Sequence, residues 1–157
     1  MGAIVVDEEF LPAAINMVSS AKRSICISTF KAEITSRPRG RKLREFFDIL
    51  TEKSRSGIDV RFLLNRVTKM GSVPMSNLYA MRELPKYGIH VHCLKDNRCC
   101  HAKLLIVDRH AAILGSHNLS VKACHNNFEV SYIILDNFMV DIVYTAFSEA
   151  WSGSSAA

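Results

Sequence analysis

Hydrophobic and polar positions along the chain switch repeatedly between helical and strand spacing. From about Glu9 to Lys22, Phe10, Ala14, Met17 and Val18 recur at helical intervals, which predicts a helix with one apolar face, and Ser24 to Phe30 then reads as a strand. A second helix is expected from about Arg41 to Ser54, with Leu43, Phe46, Phe47 and Leu50 on one side. It stops at Gly57, and Ile58 to Leu64 is an apolar strand. Ser76 is placed to cap a third helix, in which Leu78, Met81 and Leu84 recur before the breakers Pro85 and Gly88. Strands follow at Ile89 to Leu94, about Ala102 to Val107, Ala111 to Gly115 and Phe128 to Leu135. A closing helix from about Phe138 to Trp151 carries Val140, Val143 and Phe147. Residues 152–157 read as a disordered end. With no internal repeat or linker, the pattern predicts one α/β domain over residues 1–151, its mixed sheet covered by helices on both faces.

Composition narrows this picture. A chain of 157 residues that is 48% hydrophobic builds one packed core and is not disordered. A formal charge of +5 favours an anionic partner, nucleic acid or a lipid headgroup. The five cysteines are odd in number and lack a framework spacing, and Asp7, Glu8 and Glu9 cut short the apolar run from Ala3 to Val6, so a secretory leader is not expected in these residues. Reduced thiols and a cytoplasmic location are expected. No apolar stretch reaches membrane-spanning length, and Val6 stands where a myristoylation signal needs Ser or Thr. An anchor lying outside these residues would leave no trace here.

The chemistry concentrates between His101 and Asn118. Residues two apart on a strand share a face, so His101 and Lys103 point the same way. A two-residue loop at Arg109 and His110 would pair Asp108 with Ala111, and that register sets His101 opposite Asn118 and Lys103 opposite Ser116. Local pairing thus predicts an imidazole, an ammonium, a hydroxyl and a carboxamide on one patch, with Gly115 allowing a backbone or ligand to come close. These groups suit a phosphodiester. Lys103 supplies charge, Ser116 and Asn118 supply directional hydrogen bonds, and the His101 imidazole can attack phosphorus once its other nitrogen is held. Asp108 lies at an odd offset from His101 and faces the other way, so it is expected to support the turn. Glu129 is the better orienting carboxylate, although strand spacing does not by itself bring it to His101.

The series His101, Lys103, Asp108, Gly115, Ser116 and Asn118 resembles the phospholipase D superfamily at every element of its signature. Glu129 falls where the family's small nucleases place the carboxylate that hydrogen-bonds the nucleophilic histidine. The resemblance implies an α/β/α sandwich and a two-step reaction through a phosphohistidine, needing neither a divalent ion nor a cofactor. A second motif's histidine protonates the leaving oxygen and then activates water. His90, His92, His110, His117 and His125 all lack a Lys two positions on, so the chain holds one motif. A complete site therefore implies a homodimer that joins two copies of His101. The expected substrate is DNA or RNA. A phospholipid such as cardiolipin, or a binding module with little turnover, are the alternatives.

Other residues carry weaker expectations. Arg37, Arg39, Arg41, Lys42 and Arg44 could line a groove for a nucleic-acid backbone or form an ordinary solvated loop and helix start. Arg66 and Lys69 belong more simply to a surface loop. His90, His92, Cys93, Cys99 and Cys100 fit no zinc template and are expected to pack or to be partly exposed. Cys99 and Cys100 directly precede the nucleophile, where oxidation would block it. His117 should face away from the patch, and His125 is a possible rim residue of the substrate entrance.

Overall fold

The computed structural model describes residues 2–67 and 73–157; Lys69 lies outside them. Thirteen regular elements follow in chain order: β1 (Gly2–Val6), α1 (Phe10–Ser19), β2 (Ser24–Thr29), α2 (Arg41–Arg55), β3 (Asp59–Leu64), α3 (Met75–Glu83), β4 (His90–Leu94), β5 (Lys103–Val107), β6 (Ala111–Gly115), α4 (Val121–His125), β7 (Val130–Ile134), α5 (Asn137–Ser152) and β8 (Ser154–Ala156). The strands form one sheet in the order β1-β7-β6-β5-β2-β3-β4-β8. The pairs β2–β3 and β3–β4 are parallel and the rest antiparallel, so the sheet is mixed as expected.

Helices cover both faces, unequally. On one face, Leu11, Ala14 and Val18 of α1, Leu43, Phe46 and Leu50 of α2 and Ala80 of α3 bury against Ile25, Ile27, Phe62, Leu105 and Ile113. On the other face α5 alone buries Val140, Val143 and Phe147 against Cys26, Leu63, Ile106, Ala112 and Ile134. Each fully buried side chain of this kind contributes about 1.5–3 kcal/mol, so the first face dominates the core. Because α5 is a single helix, a row of that face stays uncovered. Leu104, Leu114, Tyr132 and Ile4 are consecutive partners across four strands, and Leu114, Tyr132 and Ile4 are exposed.

Four features depart from the expected pattern. Residues 154–156 form an edge strand against β4, fastened further by Ala157 N–H donating to Val91 O at 3.0 Å. A Ser-Ser-Ala segment has little strand propensity; the open hydrogen-bonding edge of β4 orders it. Second, β1 and α4 are additional elements, each only five residues long. Third, Ser76 lies inside α3, its buried hydroxyl without a partner among the described residues; Pro74 precedes the helix and offers it no side-chain cap. Fourth, the β5–β6 hairpin is one residue out of the predicted register. Asp108 and Arg109 have φ of 54° and 55°, His110 N–H donates to Val107 O at 2.9 Å, and the ladder begins with Val107 opposite Ala111. Lys103 therefore faces Gly115, not Ser116. Asp108 is engaged by the loop before β2 and leaves the ladder, so the turn has three residues, Asp108 to His110, instead of two.

Candidate active site

The segment entering β5 is held from beneath. Cys100 is buried, its N–H donates to Asn65 Oδ1 at 3.0 Å, and its Sγ lies 3.1 Å from Ser28 Oγ. The Ser28 hydroxyl donates to Ala102 O at 3.1 Å. The residues on either side of His101 are thus pinned to β2 and to the end of β3. His101 itself precedes the strand and is exposed.

Lys103 closes on His101. Its Nζ donates to His101 O at 2.7 Å and sits 3.1 and 3.3 Å from Nδ1 and Nε2 of the ring. Phe30 touches both: its ring centroid is 5.2 Å from that of His101 and 5.6 Å from Lys103 Nζ. Partial burial pushes the Lys103 pKa down, while the negative charge of Glu129 opposes that shift. An ammonium so placed, half out of water and beside an imidazole, attracts an anion more strongly than a free surface lysine does.

Ser116 and Glu129 form a separate pair. The Ser116 hydroxyl donates to Glu129 Oε2, and the other carboxylate oxygen accepts from Asn127 Nδ2 at 2.9 Å. Val130 N–H donates to Ser116 Oγ at 3.1 Å. Glu129 thus meets Ser116 and makes no hydrogen bond to His101 among the described residues, because β6 and its end lie between β7 and β5. Ser116 accordingly directs its proton to Glu129, inside the protein. Asn118 differs. Its Oδ1 accepts from Lys31 N–H at 3.1 Å and lies 3.3 Å from Thr29 Oγ1. With the oxygen so fixed, Nδ2 has no protein acceptor among the described residues and is available to a ligand.

The supporting residues behave as their positions demand. The Asp108 carboxylate accepts from the backbone N–H groups of Lys22, Arg23 and Ser24 at 2.8, 2.7 and 2.8 Å. Desolvation alone would raise its pKa, but these three donors outweigh it and the net shift is downward. At Gly115 a Cβ would overlap the side chain and Cα of Ser131 on β7, so the close approach there is made by a neighbouring strand. His117 is buried: its ring stacks on Phe10 at 4.4 Å, Nδ1 meets Ser131 Oγ at 2.8 Å, and Nε2 meets Asp7 O at 3.0 Å. His125 is part-buried, with Nδ1 3.1 Å from Glu8 Oε1 and Nε2 enclosed without a partner among the described residues, so it packs against the 3-10 turn before α1.

The basic segment divides. Arg37 and Arg39 share a groove with Lys31 and Lys122, whereas Arg41 and Lys42 are exposed in the first turn of α2. His92 stacks on Trp151 at 4.0 Å and bonds Ser154, part of the clasp that holds β8. All five cysteines are free thiols and only Cys99 is exposed; burial pushes Cys93 up to about 11 and Cys26 and Cys124 up to about 12. Among the described residues no three His, Cys, Asp or Glu side chains converge on a metal position.

Sequence reasoning passed over several residues that shape the site. Asn77 on α3 is fully buried; its Oδ1 accepts from Ala32 N–H at 3.0 Å and its Nδ2 donates to Phe30 O and Asn65 O at 2.9 Å each. Together with Thr29, Phe30 and Asn65, it ties the ends of β2 and β3 to the approach to His101. A polar residue among the apolar positions of a predicted helix was the available signal.

Comparison with known proteins places this arrangement. The family described as cardiolipin synthase, PLD-like domain, matches residues 14–151. The major cardiolipin synthase ClsA of Bacillus subtilis is 31% identical over 142 residues, 90% of this chain and 28% of that protein, so the chain spans little more than a quarter of this relative. Among solved structures, Nuc from Salmonella typhimurium, a phospholipase D family member, superposes with a TM-score of 0.80 at 18% identity over 100% of this chain and 99% of that one. NucT from Helicobacter pylori gives 0.78 at 19% identity, over 100% and 99%. With the family matching most of the chain, the fold shared end to end, and Lys103 Nζ set against the His101 ring, the chain belongs to the phospholipase D superfamily, in the PLD-like domain family of the cardiolipin synthases.

Proposed function

We propose that this chain is a metal-independent phosphodiesterase whose nucleophile is His101 and whose site is completed by a second copy of the chain. The observation that carries the reading is the contact of the Lys103 ammonium with the His101 ring, in a chain with a single His-x-Lys. Lys103 and Asn118 Nδ2 bind the non-bridging oxygens of a diester. A neutral ring nitrogen of His101 attacks phosphorus, a P–N bond forms, and the bond to the leaving oxygen breaks. The second copy's His101, protonated, gives its proton to that oxygen. It then takes a proton from water, whose oxygen attacks phosphorus as the P–N bond breaks, and both histidines return to their starting states. Glu129 acts through Ser116 and offsets the charge of Lys103. The uncovered row Leu104, Leu114, Tyr132 and Ile4, next to the catalytic end of the sheet, supports a two-fold contact.

Nucleic acid is the substrate this reading favours, given the formal charge of +5 and the cationic surface near the site. A phospholipid is the second reading, carried by the cardiolipin synthases among the sequence relatives. Cleavage of a labelled oligonucleotide in EDTA, set beside hydrolysis of cardiolipin vesicles, separates the two. His101→Ala should abolish turnover. When unlabelled His101→Ala protein is mixed and re-equilibrated with wild type, activity should fall as the square of the wild-type fraction. A fall in simple proportion to that fraction would sink the shared site, and strict dependence on added metal would sink the mechanism.

A further inference from the structure

From the cationic groove that opens beside Asn118, we infer a binding site for the phosphate backbone of single-stranded nucleic acid beyond the scissile position; the inference builds on the phosphodiesterase reading and names its substrate class. The groove encloses about 610 Å³ between the segment after β2 and α4, and its walls carry Lys31, Arg37, Arg39 and Lys122 with Asn126. Four cations face one carboxylate, Glu33, and that carboxylate accepts the Val121 N–H at 3.2 Å. None of the four cations forms an ion pair among the described residues. Unpaired basic side chains gathered on one concave surface raise the local concentration of a polyanion and release its counterions on binding.

The groove is built, and a hydrogen bond ties its wall to Asn118. Asn118 Oδ1 accepts the N–H of Lys31, the first residue of the wall. One position further on, Leu119 bridges Ala32, and Glu33 N–H donates to Leu119 O at 2.8 Å. Ala32 N–H is held from the other side by Asn77. At Gly40 a Cβ would strike the side chain of Thr35 and approach that of Val121, so the backbone after Arg39 packs closely on the groove's two walls. The two segments that orient Asn118 are therefore the two walls of the groove, and a strand whose scissile phosphate sits at His101 can lay its next phosphates along it. Among the described residues that line it, Pro38 and Val121 are apolar and the other six are charged or polar, so polar head groups are available along its length to a sugar-phosphate chain.

The test is fluorescence anisotropy of a labelled 20-nucleotide single strand, titrated with His101→Ala protein over a range of salt concentrations so that no turnover intervenes. Adding Arg37→Gln, Arg39→Gln and Lys122→Gln together should lower affinity at least tenfold in low salt. It should also reduce the slope of log affinity against log salt by about 2, roughly 0.7 for each lost contact. Lys22→Gln, Arg55→Gln and Arg109→Gln, which remove the same charge at the opposite end of the sheet, should leave the slope alone. Equal losses in both triple variants, or an unchanged slope in the groove variant, would overturn the inference. So would intact oligonucleotide binding with lost binding to cardiolipin vesicles, which would reassign the groove to a headgroup. Turnover of bis(p-nitrophenyl) phosphate by the unaltered protein reports the catalytic reading separately: its absence would sink that reading and leave the anisotropy contrast to decide the groove.

Discussion

Replacing Asn77 with Ala is the sharpest probe of how the fold supports the site. The side chain is fully buried and satisfies three backbone groups at once: Ala32 N–H, Phe30 O and Asn65 O. Alanine removes every partner while leaving those groups inside the protein. A buried polar group left without its partner costs about 1–3 kcal/mol, so three together should cost roughly 3–5 kcal/mol once partial relaxation is allowed. Alanine's better helix propensity returns about 0.5 kcal/mol of that. A loss of this size is a large fraction of the ~5–15 kcal/mol that holds a domain folded. Urea unfolding followed by far-UV circular dichroism gives the midpoint and slope, and a change in midpoint at constant slope reads directly as stability. Asn77→Asp should be no better, since it retains one acceptor, loses both donations and buries a charge. Phe30 and Asn65 flank His101 and Cys100, so turnover measured well below the melting temperature should fall as well. A measured loss under 1 kcal/mol with unchanged turnover would show that the ends of β2 and β3 hold themselves, and the argument from Asn77 would fail.

Two other perturbations follow from the same geometry. Asp108→Ala should cost about 1–3 kcal/mol at neutral pH by freeing the N–H groups of Lys22, Arg23 and Ser24. The folded-state pKa of Asp108 lies below its ordinary value, so its contribution is complete above the unfolded pKa and disappears as pH falls through the folded one. Thermal melts of wild type and Asp108→Ala should therefore converge as pH drops from 7 to below about 4, and a gap that stays constant would contradict the assignment. Gly115→Ala should destabilise by about 1–3 kcal/mol, because its Cβ meets the Cα and side chain of Ser131 and wedges β6 from β7 beneath Lys103. A midpoint in urea equal to that of wild type would show that β7 yields freely.

Much of the architecture was legible because periodicity reports burial. The apolar faces of α1, α2 and α5 and the strands β2 to β7 follow the spacing of Leu, Ile, Val and Phe that a two-faced sheet needs. What escaped that reading lacks apolar repetition: β8 is Ser-Ser-Ala, and Asn77 is a polar residue in a helix face. The site divides in the same way. The motif from His101 to Asn118 was visible, and the odd offset of Asp108 separated it from His101; that its carboxylate meets the N–H groups of Lys22, Arg23 and Ser24 was not.

The sequence alone determined which reactive groups the chain carries, their order, and that it holds one His-x-Lys; these depend only on residue identity and local spacing. Tertiary structure decided who meets whom. The withdrawal of Asp108 into the turn moved Lys103 from Ser116 to Gly115, and the interposed β6 gave Glu129 to Ser116 instead of His101. It also brought residues 31–39 against α4, joining cations more than eighty positions apart into one groove. Strand register and loop packing are set by hydrogen bonds between distant backbone segments, and such pairings leave no period in the chain for a reader to find.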